Sequence, residues 1–148
     1  MRTQEQTQNL ITLALYLRKL KPSKKFNMKW YVQSQNYAAS CFDKIGEVLN
    51  QLNHRGTAAC AIGHAPLAGI AFNPNETWEK FECRTFGVSG ADHSSSFREW
   101  LFMFDGNVPN DPRIVARRIA WVVLGRDMSQ FDNVTSRIPW TRLKLLMD

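Results

Sequence analysis

No apolar run in this chain approaches the roughly 20 residues that a helix needs to cross a bilayer, so no membrane-spanning helix is expected. The apolar run at residues 10–17 follows polar residues rather than a basic start. It leads into Arg18 and Lys19 without a small-residue cleavage site, so a secretory signal is not expected. Cysteine is scarce. Three thiols at irregular spacing argue against a disulfide framework and suit a reducing cytoplasm. The chain has no internal repeat and no low-complexity linker. Acid is missing from residues 18–29, which carry Arg18, Lys19, Lys21, Lys24, Lys25 and Lys29.

What is there in quantity is apolar and aromatic. Over 148 residues, 44% are hydrophobic and 22% charged, with five Trp and nine Phe, enough to bury a core as one domain. The net charge is +6. A basic stretch such as 18–29 attracts phosphate backbones, anionic lipid heads or acidic protein surfaces; as a solvated helix end it would serve solubility alone.

Periodicity predicts a mainly α fold: a single compact multi-helix domain over residues 1–125, with 126–148 as a C-terminal extension packed on it. The first helix is expected over 3–21, where Leu10, Leu13, Ala14, Leu17 and Leu20 share a stripe and Pro22 stops it. Alternation over residues 28–33 allows one short strand pair. A helix over 38–53 follows, with Phe42, Ile45, Val48, Leu49 and Leu52 on its apolar face and Gly46 weakening it only mildly. Thr57 is the expected N-cap of a short helix limited by Pro66 and Gly69, which places Cys60 at its third position. A helix over 76–85 presents Trp78 and Phe81. Residues 87–96 read as loop and 97–104 as a short aromatic helix.

Asp111-Pro112 is the strongest start signal, an N-cap followed by Pro at the first helical position. Ile114, Val115, Ile119, Val122 and Val123 then supply a buried face that Gly125 ends. A final helix over 140–147 turns Leu143, Leu146 and Met147 inward. The helix from Thr57 is expected at the centre, packed by those starting near Ala38 and Asp111. Its small residues Ala58, Ala61, Gly63 and Ala65 permit that close approach.

Candidate chemistry gathers in Gly56-Thr57-Ala58-Ala59-Cys60-Ala61-Ile62-Gly63-His64-Ala65. Cys60 near a helix N-terminus would feel the positive end of the dipole, which favours thiolate. With His93 as base ahead of His64, and Asp92 or Asp111 orienting the imidazole, the residues outline a Cys60-centred hydrolase or transferase. The flanking alanines equally suit a small buried hydrophobe. Cys60, His64, Cys83 and His93 make a two-Cys, two-His set, but the later spacing matches no zinc pattern, and neither metal nor other cofactor is expected.

For nucleic acid, Arg113, Arg117 and Arg118 near one side of the helix after Pro112 join Lys21, Lys24, Lys25 and Lys29. Arg137, Arg142 and Lys144 add charge in the tail. Trp30 and Tyr31 beside Lys29 are similar to a stacking-plus-phosphate arrangement. No helix-turn-helix, zinc-finger or RNA-recognition signature is present. The structural alternative is that the arginine stems cover apolar surface.

Phe26-Asn27-Met28 and the Gly56 to Ala65 segment are followed by Trp100-Leu101-Phe102 and Val115-Ala116-Arg117-Arg118-Ile119. Over roughly residues 26–124 this pattern resembles an uncharacterised family of small bacterial and phage proteins. Its members join the two early motifs by a shorter link and place a Cys-Gly pair before the Thr. Here Arg55 stands at that Cys position, and most of 38–53 lengthens the link. A metal or redox site built on such a Cys pair would therefore be half missing. The resemblance implies a phage or bacterial cytoplasmic origin and one shared fold, and it carries no mechanism. The expectation is a small basic accessory protein, inhibitor or adaptor in role. It leans away from enzymatic activity and binds a host protein or an acidic polymer such as nucleic acid, with no membrane partner.

Overall fold

Thr3 starts the first helix by a reciprocal cap. Its Oγ1 accepts the Gln6 N–H at 3.1 Å, and Gln6 Oε1 accepts the Thr3 N–H at 2.9 Å. Helix α1 then runs Gln4–Lys19, with Arg18 and Lys19 in its last turn. The computed structural model describes residues 2–20, 33–34, 37–38, 43–48, 60–87 and 111–147. Within them follow an antiparallel pair, β1 (Gln33–Ser34) and β2 (Tyr37–Ala38), and the short helices α2 (Ile45–Val48) and α3 (Ala61–His64). Then come α4 (Trp78–Phe86), α5 (Pro112–Val123), a 3-10 turn at Met128–Gln130, and α6 (Trp140–Leu145). The fold is mainly α.

Helix α1 packs chiefly against α5, then against α4 and α3. Leu10, Leu13, Ala14 and Leu17 enter a large cluster with Ile45, Ile62, Trp78, Phe81, Phe86, Val115 and Ile119. Each such aliphatic side chain, fully buried, contributes about 1.5–3 kcal/mol relative to exposure. Ile11 turns instead to a second cluster with Ala120, Ile138 and Leu143, which seats the C-terminal segment. Gln8 Nε2 donates to the Met147 carbonyl at 3.2 Å and fastens the same segment. Helix α5 begins as Asp111-Pro112 predicts, with Asp111 Oδ1 accepting the Arg113 N–H at 3.0 Å.

Several expectations need correction. The fold centres on α1, since the described part of the small-residue helix is one turn long. That turn is fully buried, as its composition suggested. Cys60 is its N-cap, with extended backbone (φ −76°, ψ −179°), not its third residue. Ala38 lies in β2 rather than in a helix. Helix 38–53 is replaced, where described, by the one-turn α2, because residues 43–46 bond to another segment. Asp43 O accepts the Trp78 N–H, and the Ile45 and Gly46 N–H groups donate to Glu76 O and Pro74 O. The strand pair begins at Gln33, past most of the stretch expected to hold it. Ile114, Val122 and Val123 are half-buried, and Leu146 is 47% exposed because the helix ends at Leu145. The expected strand residues 28–32, Thr57, the loop after Gly87 and helix 97–104 lie outside the described residues.

Gly46 does more than weaken a helix. A Cβ there would lie 2.7 Å from Pro74 Cβ and 2.9 Å from the Pro74 carbonyl oxygen, neither of them the tip of a flexible chain. Helix propensity favours Ala by up to ~1 kcal/mol, but overpacking costs about 1–3 kcal/mol. Gly46→Ala should therefore lower the midpoint of urea unfolding. An unchanged or higher midpoint would show that the two segments do not meet this closely.

Candidate functional site

Two places draw the sequence candidates together, and they differ in character. The first is the buried cap of α3. Cys60 is 4% exposed and His64 3%, while Glu82 on α4 is fully buried. The His64 ring lies 6.0 Å, centroid to centroid, from that of Tyr16, whose hydroxyl is pushed above its ordinary range by burial. The Cys60 thiol is pushed up to about 12. Burial is the main cause; the Gly63 amide facing the sulfur opposes it, and the charge of Glu82 adds to it. No side-chain capping hydrogen bond forms at Cys60. A thiolate is thus strongly disfavoured, and the dipole of a single turn does not offset the desolvation.

Cys83, the other described thiol of the two-Cys, two-His set, is exposed on α4, whereas Cys60 is buried. Among the described residues no group of three or more His, Cys, Asp and Glu gathers to hold a metal ion. His93 and Asp92 lie outside the described residues, as do Lys21, Lys24, Lys25, Lys29, Trp30 and Tyr31.

The second place is open and cationic. Between the first turns of α5 and the loop at 132–137 lies a cleft of about 310 Å³. It is lined by Arg113, Arg117 and Arg137, with Asp111, Asn133, Ile114 and Val134. Its size matches the low end of small-ligand sites. Local sequence shapes the loop wall. Asp132 Oδ1 accepts the N–H groups of Val134 and Thr135, both at 2.8 Å, and the Asp132 N–H donates to Ser136 Oγ at 2.7 Å. Those amides of Thr135 and Val134 hold the Asp132 carboxyl below its usual range, with Arg117 adding to the effect.

Helix α5 grips this loop. Arg117 donates through Nη1 to the Ser136 carbonyl at 3.1 Å and through Nη2 to the Asn133 carbonyl. Arg118, expected on the same side as a surface cation, is buried instead and donates to Asn133 Oδ1 at 3.1 Å. Arg137 donates to the Val134 carbonyl at 3.3 Å. These carbonyls aim the guanidinium groups without cancelling their charge. Among the described residues neither Arg117 nor Arg137 joins an ion pair.

Arg113 and Arg117 were legible as neighbours one turn apart. Arg137 stood only as tail charge; the signal that places it is the Asp132–Ser136 turn, which folds the tail back over α5. Arg18, from the basic stretch, has its guanidinium carbon 4.6 Å from the Trp140 ring centroid, so its charge rests on the C-terminal segment. No described helix is long and apolar enough to cross a membrane. Compared with family models, with curated proteins and with solved structures, the chain finds no match in any of the three.

Proposed function

We propose that the chain is a non-enzymatic binding protein of phage or bacterial cytoplasm that captures an acidic polymer, specifically nucleic acid. The observation that carries this reading is the cleft with three arginines, two of them aimed by carbonyls and left with their charge. Guanidinium forks match phosphate oxygens, and a net positive charge steers a polyanion toward them. The acid-free stretch at 18–29 extends the same attraction. The buried, protonated Cys60 speaks for packing rather than covalent chemistry.

Anisotropy of a labelled mixed-sequence oligonucleotide tests the reading. Affinity should fall linearly with the logarithm of salt concentration. Arg137→Gln should weaken binding alike across sequences and reduce the salt slope by about one, as loss of a single phosphate contact does. Capture from lysate with and without nuclease separates the alternatives, because capture that survives nuclease would assign the cleft to an acidic protein instead.

A further inference from the structure

The cleft carries an anion of its own. Asp111 Oδ1 accepts both the Arg113 N–H at 3.0 Å and Arg113 Nε–H at 3.3 Å, and Oδ2 accepts from Arg113 Nη2 at 3.2 Å. The Nε–Nη2 edge of Arg113 is thus held side-on by a carboxylate. That is the edge with which a guanidinium grips phosphate in bidentate fashion. Arg117 and Arg137 line the same cleft, and their described hydrogen bonds go to carbonyls, with the Asp132 carboxylate near Arg117 but not bonded to it.

We infer that Asp111 is a built-in competitor for the ligand anion: an entering phosphate takes over the Arg113 edge, while Asp111 keeps its capping bond to the Arg113 amide. The two duties of Asp111 are separable because its cap needs only Oδ1 and the backbone N–H. The displaced pair is an exposed one, with the Arg113 side chain 59% and the Asp111 side chain 25% exposed, and such a pair holds weakly. Until displaced, Asp111 keeps one of the three cations neutralised and lowers the attraction of the resting cleft for any anion. This regulation rests on the cleft being the anion site proposed above.

Asp111→Asn keeps a cap of equal rank and removes the charge. At low salt it should bind the same labelled oligonucleotide about three- to tenfold more tightly than the unmodified chain, as deletion of one nearby like charge predicts. Asp111→Ser, a second uncharged cap, should do the same. In an Arg113→Gln background the gain should shrink, since part of it comes from freeing the Arg113 edge. Equal or weaker binding by both Asp111 variants would overturn the inference and make Asp111 a positioning residue for Arg113. If the unmodified chain binds no oligonucleotide and Arg137→Gln changes nothing, the cleft reading itself falls and takes the competitor role with it.

Discussion

Cys60 should react with a thiol reagent at pH 7 roughly a thousand times more slowly than an exposed cysteine. With the thiol near 12, its thiolate fraction at pH 7 is about 10⁻⁵, against about 1% for a cysteine at its ordinary 9.0. At 4% exposure, access falls as well. Cys83, exposed on α4, provides the reference within the same molecule. Peptide mapping after brief alkylation should find label at Cys83 and none at Cys60 until denaturant is added. Prompt labelling of Cys60 in the folded protein would restore it as a nucleophile. The same burial sets an alkaline limit. Below pH 9.0 the thiol is neutral in folded and unfolded chains alike. Between 9.0 and about 12 only the unfolded chain gives up its proton, so stability falls as pH rises. The full loss is about 4 kcal/mol at ~1.4 kcal/mol per pH unit, and Cys60→Ala should flatten that slope.

Phe81→Ala should lower unfolding free energy by about 3–5 kcal/mol, a large part of what a domain of this size has. Phe81 is fully buried between two aromatic neighbours. Its ring meets Trp78 edge-on at 6.0 Å and Phe86 edge-on at 6.1 Å, at angles of 83° and 81°. Removing the ring opens a cavity and breaks both edge contacts, which contribute about 0.5–1.5 kcal/mol each beyond area. Neither neighbour can swing in easily, because Trp78 is pinned at its amide by Asp43 O and Phe86 is followed by the left-handed cap Gly87. Phe81→Leu, which keeps most of the volume, should cost less than half as much by the same denaturant measurement. A loss below 1 kcal/mol for the alanine variant would mean that the cluster collapses around the gap.

The helices with strong local signals were readable from the chain: α1 by its leucine stripe, α4 by Trp78 and Phe81, and α5 by Asp111-Pro112. The reciprocal cap at Thr3 and Gln6 was also present as a pattern, Thr followed three residues later by Gln. The stretch around Ile45 was not, because its apolar spacing fits a long helix while its backbone groups bond to residues 74–78, far off in sequence. Cys60 misled for a related reason. Position relative to a helix start suggested a low pKa, but burial of the thiol, with the charge of Glu82 added, is a tertiary fact and outweighs the dipole of one turn. At the cleft, Arg113 and Arg117 followed from helical spacing, whereas Arg137 depended on a turn nucleated by Asp132.

Helix α1 has a consequence for how the molecule breathes. Adjacent residues Leu10 and Ile11 belong to different hydrophobic clusters, one built on α4 and the other on the C-terminal segment. The two clusters share α1 and α5, so peeling α4 or the C-terminal segment away opens one face of α1 and leaves the other covered. Amide protons in the middle of α1 should therefore be the slowest to exchange among the described helices, and those of α6, which exposes Leu145 and Leu146, among the fastest. The N-terminal helix is thus the seam at which both clusters meet, Leu10 on one side and Ile11 on the other.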